Sequence, residues 1–105
     1  MDRRVVWTET AWADLEQIVI YIAKDSSNYA AAFTREVLRA SRSLAQFSNR
    51  GREVPEFYDP NVREIFVRSY RLIYTVAADV VHILGIVHGA RDLKAFWDRE
   101  ERGPG

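Results

Sequence analysis

The 105-residue sequence contains no cysteine. This absence excludes disulfide bonds, a thiol nucleophile and a thiolate metal site. The two histidines, His82 and His88, have no acidic pair close by in the sequence, so we expect no metal and no other cofactor. No apolar run is long enough to cross a membrane. The apolar stretch after Arg3 and Arg4 is too short for a signal peptide, and we therefore expect a cytoplasmic protein.

An excess of positive charge is also lacking, because 15 basic residues balance 15 acidic ones. This balance argues against binding of nucleic acid through bulk charge, and we expect no direct specific DNA binding. Lysine is scarce as well, since only Lys24 and Lys94 are present. The abundant arginine suits bidentate contacts to carboxylate or phosphate groups, although a codon bias of the genome explains it equally well.

The length corresponds to one domain over residues 1–105, and the first half of it has helical periodicity. Thr8 or Thr10 can cap a first helix that runs to about Lys24. Ser26 or Ser27 can cap a second helix that spans about residues 29–46. The apolar face of the second helix consists of Tyr29, Phe33, Val37, Ala40, Leu44 and Phe47.

The polar face of the second helix carries three arginines, which we call the basic ridge: Arg35, Arg39 and Arg42. Their spacings of four and three residues place them on one side of a helix. The simplest interpretation is a solvated face. The sharper one is a docking surface for an acidic protein segment.

The second half of the chain predicts a small antiparallel sheet. Residues 62–92 contain three short segments rich in β-branched and aromatic residues, with chain reversals near Ser69-Tyr70 and Ala78-Asp79. The third segment is apolar on both faces, which predicts a central strand. Residues 3–7 can add an edge strand, residues 48–61 are predicted as a loop, and a last helical turn can follow Asp92. Gly85 predicts a bulge or a close approach within the third strand. The fold class is therefore α+β, with an N-terminal helix hairpin packed on the sheet.

Four motifs occur in order along the chain and carry a resemblance to a known family. They are Ala11, Asp14, Leu15, Ile18, Tyr21, Ile22 and Ala23 in the first helix; Gly51, Arg52, Pro55 and Glu56 in the loop; Arg63, Glu64, Val67, Tyr70, Arg71 and Tyr74 in the sheet; and His88, Arg91 and Asp92 at its end. With these motifs the chain resembles the RelE/ParE superfamily of type II toxins, and within it the ParE branch, over nearly its whole length.

The resemblance implies a toxin that a cognate antitoxin holds inactive. RelE-like members cleave mRNA on the ribosome, whereas ParE-like members are linked to inhibition of DNA gyrase. The implied antitoxin has a ribbon-helix-helix or similar DNA-binding domain and a C-terminal segment that folds on binding, as a helix or an added strand. We assign its contact surface to the basic ridge.

An RNA-cleaving site needs a base, an acid and cations for the phosphate. By this resemblance, Arg71 and Arg91 match arginine positions of RNA-cleaving relatives. His88 is the one candidate base, because histidine titrates near neutral pH. Lysine positions of those relatives hold Glu64 and Phe66 here, and neither side chain can hold a phosphate. This departure favours the ParE branch and a toxin that binds its target without chemistry of its own.

For such a binding mechanism we assign target contact to Arg68, Arg71, His88 and Arg91. Structural alternatives stay open for two of these residues. Arg71 can be a solvated arginine at the start of a strand or form an ion pair with Glu64, and His88 can be a hydrogen-bonded structural residue. The alternative functions are a RelE-like endonuclease that uses Arg71, His88 and Arg91, and an inactive member that only binds the antitoxin.

Overall fold

A computed structural model of the chain describes residues 2–91 and residue 93. Its elements are β1 (Arg4–Trp7), α1 (Glu9–Ala23), α2 (Ser27–Ser43), β2 (Arg52–Glu53), β3 (Val62–Val67), β4 (Tyr70–Val76) and β5 (Val80–His88). The two helices pack together on one face of a five-stranded sheet. The predicted α+β architecture is confirmed.

Both helices begin at a side-chain cap. The hydroxyl of Thr8 accepts the Ala11 amide at 3.1 Å, and the hydroxyl of Ser26 accepts the Tyr29 amide at 3.0 Å. Each bond satisfies one of the backbone donors that a helix start leaves without a partner. The second helix spans Ser27–Ser43, so it begins and ends slightly earlier than the periodicity predicted.

The sheet has the strand order β1-β5-β4-β3-β2. Strands β3, β4 and β5 form an antiparallel meander, as predicted. The edge strand β1 pairs with β5 in parallel, so the sheet is mixed and not wholly antiparallel. The two-residue strand β2 lies inside the segment that was predicted to be a loop, and it pairs with β3.

A bulge interrupts the pairing of β4 with β5. Ile73 pairs with Gly85 and the next residue, Tyr74, pairs with Ile83, so that Leu84 is the extra residue. Gly85 was the sequence signal for this irregularity. Beyond the end of β1, the Ile86 amide donates to the Asp14 carboxylate at 3.0 Å, which fixes α1 on β5.

The sheet has a hydrophobic cluster on each face. The helix side buries Ala11, Leu15, Phe33, Val37, Leu44, Ile65, Val67, Leu72, Tyr74, Val81, Ile83 and Ile86. The opposite side buries Val54, Val62, Ile73, Leu84, Val87 and Leu93, with Phe57 packed against them. Because Val54 and Phe57 belong to the segment between β2 and β3, this segment covers the second face of the sheet.

The turn that precedes β2 is fixed by one tyrosine. The Tyr74 hydroxyl donates to the Ser48 carbonyl at 2.8 Å and accepts the Gly51 amide at 3.0 Å. A Cβ at Gly51 would lie 2.6 Å from both the Tyr74 hydroxyl and the Glu64 carbonyl. The close approach therefore requires glycine.

Several sequence predictions need correction or lie beyond this structure. Tyr29 and Phe47 were placed on the apolar face of the second helix, but both are exposed, because Tyr29 lies at the end of the sheet and Phe47 follows the helix. The predicted helical turn after Asp92 lies outside the described residues, apart from Leu93. Over the described ranges, no helix is long and apolar enough to cross a membrane.

Phe33 tests the packing of the helix face. It is fully buried within the helix-side cluster, and we expect Phe33→Ala to lower the free energy of unfolding by about 3–5 kcal/mol. Phe47→Ala is the matched control, since this exposed ring should change stability by less than about 1 kcal/mol. Chemical denaturation of both variants measures the difference, and equal losses would contradict the assignment.

Candidate functional site

The candidate site residues meet at one end of the sheet but on opposite faces. Tyr70 pairs with His88, and the next residue, Arg71, pairs with Val87. The Tyr70 ring lies 5.3 Å from Phe33 of α2 and 5.5 Å from the His88 ring, on the helix side. Because neighbouring residues of a strand point to opposite faces, the Arg71 side chain lies on the other side.

Arg71 is enclosed by acceptors. Its Nη1 donates to Glu56 at 2.9 Å and to Glu64 at 3.1 Å. Its Nε and Nη2 donate to the Gly89 carbonyl at 3.2 and 2.9 Å. The second Glu64 oxygen accepts from Arg52 Nε at 2.7 Å. We call Arg52, Glu56, Glu64 and Arg71 the ion-pair network.

The ion-pair network is electrically balanced, and its two central members are buried. Glu64 is 1% exposed and Arg71 is 8% exposed, so both depend on their partners for charge compensation. The hydrogen bond with Glu56 raises the pKa of Arg71 above its ordinary value, and the same bond lowers the pKa of Glu56. Two arginines and two glutamates leave no net charge to attract a phosphate.

The ion-pair network also connects five parts of the chain. Glu64 of β3 lies between Arg52 of β2 and Arg71 of β4, Glu56 belongs to the segment that covers the second face, and Gly89 follows β5. The interpretation of Arg71 as a partner of Glu64 is therefore confirmed. The assignment of Arg71 to target contact stays a prediction.

The helix side of the same end carries an aromatic cluster. We call Tyr21, Tyr29, Tyr70 and His88 the aromatic corner. Partial burial raises the pKa of Tyr70, and the nearby phenols of Tyr21 and Tyr29 raise it further. The Ala90 amide donates to His88 Nδ1 at 3.2 Å.

Arg68 borders the aromatic corner from the turn between β3 and β4. Its backbone has a φ of 55°, the left-handed region that few non-glycine residues adopt. The guanidinium forms an ion pair with Glu36 of α2 and lies 4.2 Å above the Tyr29 ring. This ion pair raises the pKa of Arg68 and lowers that of Glu36.

The remaining candidate residues lie nearer the surface. All three arginines of the basic ridge are exposed, and none forms an ion pair within the described part of the chain. Arg91 is exposed, and its amide donates to the His88 carbonyl at 3.0 Å. Among residues 2–91 and 93, no group of three or more metal-ligating side chains comes together.

Sequence reasoning missed two parts of this site. The roles of Arg52 and Glu56 were not assigned, although both belong to the loop motif quoted above. The aromatic corner was also missed, because Tyr21 and Tyr29 were counted as residues of helical patterns. A useful signal was available, since both tyrosines adjoin the turn between the helices and therefore lie near helix ends.

Comparison with known proteins assigns a family. Residues 5–93 match the model of the ParE toxin of type II toxin–antitoxin systems. A curated relative, toxin RelE2 of Caulobacter vibrioides, is 38% identical over 89 residues, which cover 84% of this chain and 97% of the relative.

Two solved structures share the fold. A chain of the chromosomal ParDE toxin–antitoxin system of P. aeruginosa aligns with a TM-score of 0.67 and 24% identity, over 82% of this chain and 95% of that one. A chain of the toxin–antitoxin complex RelBE2 of Mycobacterium tuberculosis aligns with a TM-score of 0.59 and 23% identity, over 84% of this chain and 99% of that one.

Glu64 tests the ion-pair network. We expect Glu64→Gln to lower the free energy of unfolding by about 3 kcal/mol, because it removes one charge from a buried set of pairs. Glu53→Gln is the control, since Glu53 is exposed and lies next to Arg52 on the short strand β2. Urea denaturation at neutral pH measures both variants. A loss at Glu64 no larger than at Glu53 would contradict the role of the network.

Glu56 predicts a dependence of stability on pH. Its pKa is lower in the folded protein than its ordinary value of 4.5, so its stabilising effect is complete above that value and is lost as the pH falls through the folded pKa. Glu56→Gln should therefore be less stable at pH 7 and lose less stability on acidification. Denaturation curves between neutral and acidic pH test this, again with Glu53→Gln as control. Identical slopes for wild type and Glu56→Gln would refute it.

Proposed function

The chain belongs to the ParE toxin family of type II toxin–antitoxin systems, and from this premise we propose that it acts by binding and inhibiting DNA gyrase. A cognate antitoxin holds it inactive. Both gyrase and the antitoxin would be met in the cytoplasm.

The placement of Arg71 is the observation that carries this proposal. A cation that stabilises a phosphate must be available to it, but Arg71 donates to two carboxylates and a carbonyl. Releasing it would leave Glu64 buried with one partner fewer. The geometry thus favours a structural arginine over one that takes part in phosphate chemistry.

The placement of His88 supports the same conclusion. A general base must lie within hydrogen-bond reach of the group from which it takes a proton. His88 lies on the helix side against Tyr70, whereas Arg71 lies on the opposite face, so the sheet separates the two groups. Arginine itself stays protonated and supplies no base. Arg71 and His88 are therefore poorly placed to act together in one catalytic centre.

The proposed antitoxin partner rests on the family and on charge. The two structures that share the fold come from toxin–antitoxin systems. The basic ridge offers three exposed arginines without ion pairs inside the described chain, so an acidic segment can dock there without breaking internal bonds. We expect the antitoxin to carry a ribbon-helix-helix or similar DNA-binding domain, as membership of this toxin family implies.

A ribosome-dependent mRNA endonuclease is the second candidate. It is favoured by the 38% identity to a relative named RelE2. In that case Arg71, His88 and Arg91 would be the catalytic residues, and the ion-pair network would have to rearrange. A third candidate is an inactive member that only binds antitoxin.

Two assays on the purified toxin separate these candidates. We expect loss of supercoiling by gyrase and intact mRNA on programmed ribosomes. Arg91→Ala should relieve gyrase inhibition with the fold retained, while Arg4→Ala, an exposed arginine on the edge strand, should not. Codon-specific cuts that disappear in His88→Ala would establish the endonuclease, and no effect in either assay would favour the inactive member.

The basic ridge is tested by charge reversal. Replacing Arg35, Arg39 and Arg42 with Glu should weaken the antitoxin complex and change its salt dependence, because acidic partner groups would then be repelled. Arg39→Glu and Arg4→Glu form a matched pair of single reversals on exposed arginines. Calorimetry at low and high salt measures all of them. An affinity that the triple reversal leaves unchanged at both salt concentrations would remove the ridge from the interface.

A further inference from the structure

The chain leaves β5 through a tight turn of residues 88–91, which we call the exit turn. The Arg91 amide donates to the His88 carbonyl at 3.0 Å and closes the turn. The Gly89 amide donates to the Ser69 carbonyl at 2.8 Å, and the Ala90 amide donates to His88 Nδ1 at 3.2 Å. Three consecutive amides therefore have acceptors within the protein, although the turn is largely exposed and water could serve them.

Arg71 holds the exit turn from the second face of the sheet. Its Nε and Nη2 both donate to the Gly89 carbonyl, at 3.2 and 2.9 Å. Its remaining nitrogen, Nη1, donates to Glu56 and Glu64, so the planar guanidinium has a fixed orientation. The ion-pair network thus fixes the Gly89–Ala90 peptide of the turn as well as the strands.

His88 holds the same turn from the helix side. Its ring lies nearly perpendicular to the Tyr70 ring, with 5.5 Å between the centroids, and its Nδ1 accepts the Ala90 amide. This bond requires Nδ1 without a proton, because a protonated ring nitrogen only donates. Arg71 and His88 are separated by the sheet, yet both reach the peptide groups of Gly89 and Ala90.

The space around Gly89 is closed on the side of the turn between β3 and β4. A Cβ at this position would lie 3.1 Å from both the Ser69 carbonyl oxygen and Phe66 Cε2. These distances are shorter than the usual 3.5–4.0 Å separation of non-bonded carbon atoms. The exit turn therefore packs directly against the neighbouring turn, and movement in that direction is blocked.

The exit turn ends at Arg91, an exposed residue that we assign to target contact. A side chain on an ordered backbone loses less conformational entropy on association than one on a mobile backbone. Arg71, in contrast, is 8% exposed and already donates to two carboxylates and a carbonyl. Arg91 is thus the better placed of the two arginines to meet a partner directly.

We propose that Arg71 and His88 are positioning residues for target recognition. From the two faces of the sheet they fix the exit turn, and thereby the position from which Arg91 contacts the target. This inference rests on the proposed inhibition of gyrase. It replaces the direct target contact that the sequence predicted for these two side chains.

Inhibition of gyrase supercoiling by the purified full-length chain tests the role of His88. His88→Ala should raise the half-inhibitory concentration about tenfold, the upper end for loss of one neutral hydrogen bond. His88→Asn should restore inhibition to within about twofold of wild type, because an asparagine side-chain oxygen can accept the amide two residues on. Equal losses in both variants would indicate direct contact of the imidazole with the target and would overturn the positioning role.

Arg71→Lys tests the other side of the turn. Lysine keeps the positive charge beside Glu64, but its single nitrogen lacks the reach of the guanidinium to the Gly89 carbonyl and both carboxylates together. We expect inhibition about tenfold weaker, as for His88→Ala. Arg63→Lys is the matched control, since Arg63 donates to the carbonyl of another glycine, Gly51, at 2.8 Å, and it should inhibit as wild type does. An equal loss in Arg63→Lys would overturn the specific role of the exit turn.

Thermal unfolding of each variant separates positioning from loss of the fold. Arg71 is buried, so Arg71→Lys is expected to be the less stable variant. His88 is exposed, and both of its variants should keep the unfolding profile of wild type. The His88 pair therefore decides the question by itself if Arg71→Lys does not fold.

Amide hydrogen exchange supplies a measurement that does not depend on gyrase. The Ala90 and Arg91 amides should exchange faster in His88→Ala than in wild type, and at the wild-type rate in Arg63→Lys. Unchanged exchange in His88→Ala, or inhibition by it within about twofold of wild type, would overturn the positioning role and leave the proposed function intact. A wild-type chain that does not inhibit gyrase would overturn both.

Discussion

The carboxylate of Glu64 is the group on which the far side of the sheet depends. It is almost fully buried on β3, and it accepts from Arg52 on β2 and Arg71 on β4. A buried carboxylate is costly unless its charge is compensated, so both guanidinium groups are required where they are. Through Arg71 the same compensation reaches Glu56 in the covering segment and the turn at Gly89. One charge thus organises three strands, the segment over them and the exit from the last strand.

The alternation of the strands then divides the molecule into two functional sides. Arg71 and Tyr70 are consecutive, yet the first is committed to internal ion pairs and the second packs under the helices. His88 also lies on the helix side, against the Tyr70 ring. A one-residue shift in register would move each of these side chains to the opposite face of the sheet. The bulge at Leu84 is therefore important, because it determines which face each side chain of β5 occupies from Ile86 onward.

Local chemistry made much of this fold predictable from the sequence. The Thr8 and Ser26 caps and the alternating pattern of the strands follow from short-range rules. The ion pair of Arg71 with Glu64 was one of the alternatives predicted from the sequence. The contact of Arg71 with Glu56 was not predicted, since it depends on how the segment between β2 and β3 folds back over the sheet. Tyr29 was misplaced because periodicity identifies an apolar face without showing where the sheet beneath it ends.

The same sequence feature, an abundance of arginine, has opposite outcomes on the two sides. Arg52 and Arg71 are neutralised by glutamates within the sheet, so their charge holds the protein together. On α2, Arg35, Arg39 and Arg42 have no such partners within the described residues, and their charge faces outward. Arg68 is an intermediate case, because it lies on the helix side but its charge is compensated by Glu36. Its guanidinium lies over the Tyr29 ring, and its backbone has the left-handed conformation of the turn between β3 and β4. Charge that is already compensated cannot contribute further to recognition, and charge without a partner can. The helix side is therefore where this small domain can distinguish one protein partner from another.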